Sequence, residues 1–312
     1  MTSALVVAVP DDTMRERLQP ALPGDAELIV WKPGDDGPTR RIDLLVLPYV
    51  TRYDLLSGLD PTSVGLVQSQ SLGYDGAADA LPAGIAFSNA VGVHEAPTAE
   101  LAVTLVLASQ RGWPEVGRNQ AAELWDRPAY PGLIGRSVLL IGVGGIGREV
   151  ETRLAPFDVK LTRVARTART DEHGAIHSMA ELPTLLPDAD IVILAVPLSA
   201  ETRGLVDGAF LDLLPHGALI VNVSRGPIVD TDALVLHVRS GAIRAALDVV
   251  DPEPLPAGHP LWSLPGSLIS PHLGGNVQSM SMRVDPLILE QIALLRQGKQ
   301  PKNVVIPKEQ TQ

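Results

Sequence analysis

The sequence predicts an α/β protein made of two doubly wound, mostly parallel sheets. Three observations carry that expectation. Short apolar runs alternate with amphipathic stretches along most of the 312 residues. Several runs, such as Ile191-Val192-Ile193-Leu194, are apolar without alternation, as strands covered on both faces must be. The chain is also longer than one hydrophobic core ordinarily serves, so two domains are expected.

Strands are expected over 4–9, 42–47, 64–68, 138–141, 159–164, 190–196, 218–223 and 243–249. The first, Ala4-Leu5-Val6-Val7-Ala8-Val9, lacks the basic flank and the length of a secretion signal, and it runs straight into Pro10-Asp11-Asp12. It reads as a buried strand. Helices are expected near 51–57, 146–155, 178–186, 207–213 and 230–240. Two longer helices stand apart: 95–110, almost wholly apolar after Glu100, and 276–297, which Pro286 should kink or restart. A helix apolar on all sides must be buried between layers, domains or subunits, so both are read as domain crossings. This gives one discontinuous domain, 1–90 plus 276–312, and a second over 91–275. The Pro/Gly-rich stretch 251–266 is a long loop, and such loops in compact domains are often functional.

Composition narrows the function. Hydrophobic residues make up 45% of the chain, ample for a folded core. A formal net charge of -11 argues against nucleic acid or an anionic membrane as the main partner. Cysteine is absent, which removes disulfides, thiolate nucleophiles and Cys-ligated metals together. No apolar run approaches the roughly 18–20 residues that span a bilayer. A cytoplasmic protein is expected, with neither nucleic acid nor membrane as partner.

Residues 138–147 read Val-Leu-Leu-Ile-Gly-Val-Gly-Gly-Ile-Gly. Gly142, Gly144 and Gly147 form G-x-G-x-x-G directly after a strand and at the start of a helix. The first glycine allows a tight turn, the second lets backbone approach a pyrophosphate, and the third lets helix and strand pack closely. The triplet alone would equally fit a turn without a ligand; the strand before it and the helix after it favour a dinucleotide. Gly145 and Ile146 complete the expected contact set.

An NAD site needs an acidic residue at the end of the next strand, about 20 residues on, for the ribose 2′-hydroxyl. Here the chain reads Lys160-Leu161-Thr162-Arg163-Val164-Ala165-Arg166-Thr167-Ala168-Arg169, with no carboxylate between Asp158 and Asp171. Ala165 stands where the acid belongs, followed by Arg166, Thr167 and Arg169. A guanidinium offers a planar fork to a 2′-phosphate. NADP (as NADPH) is therefore favoured, with NAD the alternative should these arginines merely solvate a loop.

Further motifs follow a recognisable order: Ser69-Gln70-Ser71-Leu72-Gly73-Tyr74-Asp75, the glycine turn, Asn222-Val223-Ser224-Arg225-Gly226, Ala246-Leu247-Asp248-Val249-Val250-Asp251-Pro252-Glu253-Pro254-Leu255, His259-Pro260-Leu261-Trp262 and Ser270-Pro271-His272-Leu273-Gly274-Gly275. Over nearly its whole length the chain resembles the D-isomer-specific 2-hydroxyacid dehydrogenase family, of the glyoxylate/hydroxypyruvate reductase kind. The resemblance implies a Rossmann-type nucleotide domain inserted into a flavodoxin-like substrate domain. It implies catalysis by Arg225, Glu253 and His272, and backbone N–H groups at Leu72 and Gly73 for the substrate carboxylate. Asp248 would accept from the nicotinamide carboxamide, Val196 and Pro197 would line the adenosine side, and Val223, His272 and Gly274 would complete the cofactor contacts. A homodimer is implied, with the apolar helix 95–110 as its interface. Tyr49 and Arg52 would shape the substrate entrance.

The residue chemistry agrees with those roles. Reducing a 2-oxo acid needs a cation for the carboxylate and carbonyl oxygens and a proton donor for the developing alkoxide. Arg225 follows an apolar strand and so stands at a strand's carboxyl end, where open α/β sheets bind ligands. His272 exchanges its proton near neutral pH. Glu253 beside it would favour the imidazolium. Taken singly, Arg225 could be a surface arginine and Glu253 a solvated loop carboxylate. His272, before two glycines, is in an unusual place for a core histidine. The other histidines show no ligand pattern: His173 and His177 are four apart, but Gly174 breaks a helical pair, so no metal is expected. No G-x-S-x-G elbow supports a hydrolase.

Relatives that oxidise phosphite carry a lysine where Leu72 stands, so phosphite is not the expected substrate. The chain ends soon after the last helix, and no C-terminal regulatory domain is expected. NADPH points to reduction of glyoxylate, hydroxypyruvate or another small 2-oxo acid. Two other readings compete. One is a catalytically silent, NAD(P)-binding sensor or corepressor of the same fold, against which the intact Arg/Glu/His set argues. The other is an L-specific dehydrogenase on a similar nucleotide domain, which product chirality would reveal.

Overall fold

In a computed structural model the structure describes residues 4–49 and 51–308; Val50 and the ends of the expected substrate domain, 1–3 and 309–312, lie outside the described residues. The chain divides into two compact units, with boundaries between His94 and Glu95 and between Val277 and Gln278. The strands are β1 (Leu5–Val9), β2 (Ala26–Val30), β3 (Ile42–Val46), β4 (Val64–Gln68), β5 (Ala86–Ser88), β6 (Ser137–Ile141), β7 (Lys160–Ala165), β8 (Arg169–Asp171), β9 (Gly174–Ser178), β10 (Ile191–Leu194), β11 (Ala218–Asn222), β12 (Ile243–Leu247), β13 (Ser267–Ile269) and β14 (Val304–Ile306).

The first unit holds a six-stranded sheet in the order β14-β5-β4-β3-β1-β2. All pairings are parallel except β14 on β5, where the returning C-terminal segment adds an antiparallel edge. Successive side chains leave opposite faces of a strand. Val7, Leu44 and Leu66 thus join one core with Val284, Ile288 and Ile292, while Ala8, Leu45 and Val67 join another with Phe87. Apolar residues at every position are what a sheet covered on both sides requires.

The second unit holds an eight-stranded sheet in the order β13-β12-β11-β10-β6-β7-β9-β8. From β9 to β13 this is the doubly wound nucleotide-binding order, with its reversal between β6 and β10. On one face Leu139, Val192 and Ile220 pack with Phe210, Leu234 and Val238. The helices bearing those last residues are started by Asp207 and Asp230, whose carboxylates accept from the N–H of Phe210 (2.9 Å) and Ala233 (3.0 Å). On the other face Leu140, Ile193 and Val221 pack with Ala99, Val103, Val106 and Val150. The apolar helix Glu95–Gln110 therefore buries much of its surface within its own unit.

Several elements differ from expectation. The stretch expected as a helix over 51–57 is a 3-10 segment, Tyr53–Gly58. The one expected over 178–186 is divided into a 3-10 turn, Met179–Glu181, a four-residue α-helix, Leu182–Leu185, and a second 3-10 turn, Leu186–Asp188, with Pro183 and Pro187 each opening the piece that holds it. The last helix is Ser281–Arg296, and it neither starts at 276 nor restarts at Pro286. Beyond the expected strands lie β2, β5, β8, β9, β13 and β14, most of them edge or short pieces. Among the described residues no helix is long and apolar enough to cross a membrane.

Candidate active site

The glycine turn joins β6 to the helix Gly145–Leu154. Gly142 has φ +109°, and a Cβ there would lie 2.2 Å from the Ala195 carbonyl oxygen. At Gly147 a Cβ would lie 1.9 Å from the Gly142 carbonyl oxygen. Neither position tolerates a side chain. Gly144 is different: nothing lies within 4 Å of where its Cβ would be. Its bareness serves whatever approaches from outside, here the first turn of a ten-residue helix with unpaired amides. This opening fits the pyrophosphate of a dinucleotide. Gly145 is exposed and Ile146 partly buried beside it.

At the neighbouring strand end, the Val196 amide donates to Ser224 Oγ at 3.0 Å and the Pro197 carbonyl accepts from Thr202 at 2.7 Å. Beyond β7, Arg166, Thr167 and Arg169 are exposed. Arg169 is not in a loop: it begins β8, whose hairpin with β9 was not legible in the sequence. The hairpin returns Asp171, the first carboxylate after the strand, to Arg163. Arg163 is 4% exposed and donates twice to Asp171, at 3.0 and 2.9 Å, with Glu151 at 3.5 Å. These bonds hold the Asp171 carboxyl below its usual range.

The catalytic candidates leave three adjacent parallel strands at their carboxyl ends. Arg225 follows β11. Asn222 fixes that turn, donating to the Arg225 carbonyl at 2.9 Å and accepting from the Ser224 amide at 3.0 Å. Gly226 must be glycine, since a Cβ would sit 1.9 Å from the Val250 carbonyl oxygen. Val223 is buried within the turn. Asp248 and Glu253 follow β12, and His272 follows β13.

The loop carrying His272 is fixed through Asp248, which is 3% exposed. Its carboxylate accepts from the Ser270 hydroxyl (2.7 Å), the Leu273 amide (2.7 Å) and the Gly274 amide (2.9 Å), and its carbonyl accepts from the His272 amide (2.8 Å). The same carboxylate was expected at the nicotinamide carboxamide; three of its bonds go to this loop. The clamp holds His272 at φ +54°, a conformation unfavourable for a residue with a Cβ.

His272 Nδ1 is hydrogen-bonded to Glu253 Oε1, leaving Nε2 as the nitrogen for chemistry. The two side chains are about half exposed, at 49% and 40%. The Glu253 bond raises the imidazole pKa against burial, and the positive charge of Arg225 also pulls it down, so Arg225 and His272 lie within electrostatic reach. With His272 as the proton donor proposed below, reduction is expected to run fully below that raised pKa and to fall as pH rises through it. Glu253→Gln removes the raising partner. Its alkaline limb for reduction is expected at lower pH than the wild type's, costing roughly tenfold in rate on the alkaline side. A pH–kcat profile checks this, and coincident limbs would remove Glu253 from the role.

The remaining candidates lie in the first unit. Leu72 and Gly73 are partly buried in the loop after β4. Tyr49 stacks on the His94 ring, with centroids 5.4 Å apart, and Arg52 is largely exposed beside Asp54. Among the described residues no group of three or more His, Asp or Glu side chains is arranged for a metal ion, and His177 hydrogen-bonds Glu181 at 2.8 Å. Asn222 and Ser270 were not anticipated as parts of the site, since their contribution is to hold backbone that the sequence does not display.

An edge that pairs a glycine turn open to a pyrophosphate with a cation and an imidazole of raised pKa suits hydride transfer to a carbonyl, and it defines an NAD(P)-dependent oxidoreductase. The chain belongs to the D-isomer specific 2-hydroxyacid dehydrogenase family, whose NAD binding domain model matches residues 103–274. It is 33% identical over 289 residues to a glyoxylate reductase of Thermofilum pendens, covering 88% of this chain and 85% of that one. It is 36% identical over 185 residues to the glyoxylate reductase/hydroxypyruvate reductase of Homo sapiens, covering 57% and 56%. A D-isomer specific 2-hydroxyacid dehydrogenase from Xanthobacter autotrophicus Py2, solved in complex with NADPH and MES, matches with TM-score 0.82 and 28% identity over 97% of this chain and 98% of that one. The protein is thus a 2-hydroxyacid dehydrogenase acting on small hydroxy or oxo acids, with two α/β domains of which one is a Rossmann domain.

Proposed function

We propose that the chain is an NADPH-preferring reductase of a small 2-oxo acid, with glyoxylate and hydroxypyruvate as leading substrates. The observation that carries the cofactor preference is the end of β7. Ala165 replaces the ribose-binding acid, the returning Asp171 is taken up by Arg163, and Arg166 and Arg169 stay exposed. A 2′-phosphate would meet the guanidinium groups of Arg166 and Arg169 there; Glu201 lies within electrostatic reach of Arg166 and would share it. The relatives named glyoxylate reductase support the substrate, and the relative solved with NADPH supports the cofactor.

When bound, the cofactor supplies the hydride. In this reading the chain supplies the rest. Arg225 grips the carbonyl and carboxylate oxygens and orients the carbonyl carbon. His272 donates a proton from Nε2 to the alkoxide, and Glu253 keeps the ring charged and correctly turned. Leu72 and Gly73 offer backbone amides to the carboxylate. Oxidation runs the same proton path backwards.

The test is a panel of 2-oxo acids run with NADPH and with NADH, with the product's chirality measured. NADPH is expected to give about tenfold or more higher kcat/KM, as one charge-assisted contact is worth that much. A tenfold advantage for NADH would overturn the cofactor reading. Inactivity on every acid would favour the sensor reading, and an L product would overturn the stereochemistry.

A further inference from the structure

The loop after β4 shows how its amides are aimed. Three successive carbonyls are tied down within the first unit: that of Ser71 accepts from the Ala90 amide at 3.0 Å, that of Leu72 from Asn89 Nδ2 at 2.8 Å, and that of Gly73 from the Tyr53 hydroxyl at 2.9 Å. None of these peptide bonds is cis. In a planar trans peptide the N–H points opposite to its own C=O. Anchoring those carbonyls therefore directs the N–H groups of Leu72, Gly73 and Tyr74 away from the anchors. Among the described residues these three amides meet no acceptor, whereas the preceding one, Ser71, donates to Ser69 Oγ at 3.0 Å. The free run of donors starts at Leu72. Leu72 and Gly73 are partly buried and Tyr74 is exposed, so the donors stand at the surface, open to a ligand.

The anchors are themselves held. Asn89 is 3% exposed, and its carbonyl accepts from Gln68 Nε2 at 3.0 Å. Gln68 accepts in turn from Gln291 Nε2 at 2.7 Å, and Gln291 is fully buried. The Tyr53 ring packs edge-on against Phe87, with centroids 5.7 Å apart. Within this chain Asn89 Nδ2 is committed to the loop carbonyl, while Asn89 Oδ1 is buried and meets no donor among the described residues. Successive backbone N–H groups held outward form a concavity for an anion and need no side-chain cation.

Resting on the reductase reading above, we propose that Tyr53 and Asn89 are positioning residues for substrate binding. By tying the Gly73 and Leu72 carbonyls they turn the amides of Leu72, Gly73 and Tyr74 into one cradle for the carboxylate of the 2-oxo acid, with the Tyr74 N–H as its third donor. Neither side chain touches the reacting carbonyl in this scheme. Their effect falls on binding of the acid, leaving proton transfer and cofactor binding to other residues.

Tyr53→Phe deletes one hydroxyl and leaves the ring on Phe87. Relative to the wild type, KM for the 2-oxo acid is expected to rise about tenfold, the scale of one weakened hydrogen bond to a charged group. kcat should stay within about threefold, and KM for NADPH should be unchanged. Oxamate, which keeps the carboxylate, should lose potency as a competitive inhibitor by the same factor. A merely structural role would instead lower the melting temperature with no selective rise in KM for the acid. Asn89→Ala provides a second variant, expected to shift KM in the same direction. An active wild type whose KM for the acid is unchanged in Tyr53→Phe overturns this proposal alone. A wild type inert towards every 2-oxo acid ends the reductase reading and this proposal with it.

Discussion

His272→Ala is expected to lose roughly 10²–10⁴-fold in kcat while binding NADPH normally. The size follows from what is removed. The alkoxide formed on reduction needs a proton, and Nε2 of His272 is the nitrogen left available once Nδ1 is bonded to Glu253. The Glu253 bond raises its pKa and so favours the charged, proton-donating ring, and water is a far poorer acid. The fold should survive the change. Asp248 still holds the loop through Ser270, Leu273 and Gly274, and alanine at φ +54° costs only on the order of 1 kcal/mol more than a relaxed residue. Steady-state kinetics and a fluorescence titration with NADPH separate the two effects. Near-normal turnover would assign the proton to another group.

Arg225→Lys is expected to lower kcat/KM by about 10²–10³-fold, although the charge is kept. An ammonium is a point donor and cannot present a planar fork to two oxygens. The backbone gives little help, since Asn222 fixes the Arg225 carbonyl and Gly226 is locked against Val250. The lysine must reach from a rigid turn with the wrong geometry. Because the charge near His272 persists, the pH dependence of kcat should hardly move, which distinguishes this loss from that of Glu253→Gln. Activity within a few-fold of the wild type would remove the two-oxygen grip from the mechanism.

The glycine turn and the placement of Arg225, Glu253 and His272 beyond strand ends were legible in the sequence because they depend on neighbours in the chain. Gly142 and Gly147 face obstacles fixed by the turn and the adjoining strands, and Arg225 stands three residues beyond its strand. The parts that escaped are those fixed by distant partners. Asp171-Glu172-His173-Gly174 has the composition of a loop, and only its pairing with Arg163 and β9 makes a hairpin of it. Asp248 reads as a ligand-binding acid at a strand end, yet much of its hydrogen bonding goes to a loop 22 to 26 residues later. The helix Glu95–Gln110 has apolar residues on every side, so periodicity could not say which side faces its own sheet. The helices expected near 51 and 178 differ in cause: the second is divided into short helical pieces that Pro183 and Pro187 open, while the first, with no proline in it, is a 3-10 segment with Leu56 buried.

The first unit is completed by residues made well after the rest of it. Its core face over Val7, Leu44 and Leu66 is covered by Val284, Leu287, Ile288 and Ile292, and its outer strand β5 is closed by β14. On the ribosome, the nascent first 94 residues emerge long before that lid, while the intervening unit 95–277 is contiguous and can collapse unaided. At about 5–20 residues per second the greasy half-sheet waits on the order of 10–40 s for its cover. Truncation or stalling before residue 281 would leave it permanently bare, a substrate for chaperones and proteases however sound the nucleotide-binding unit is.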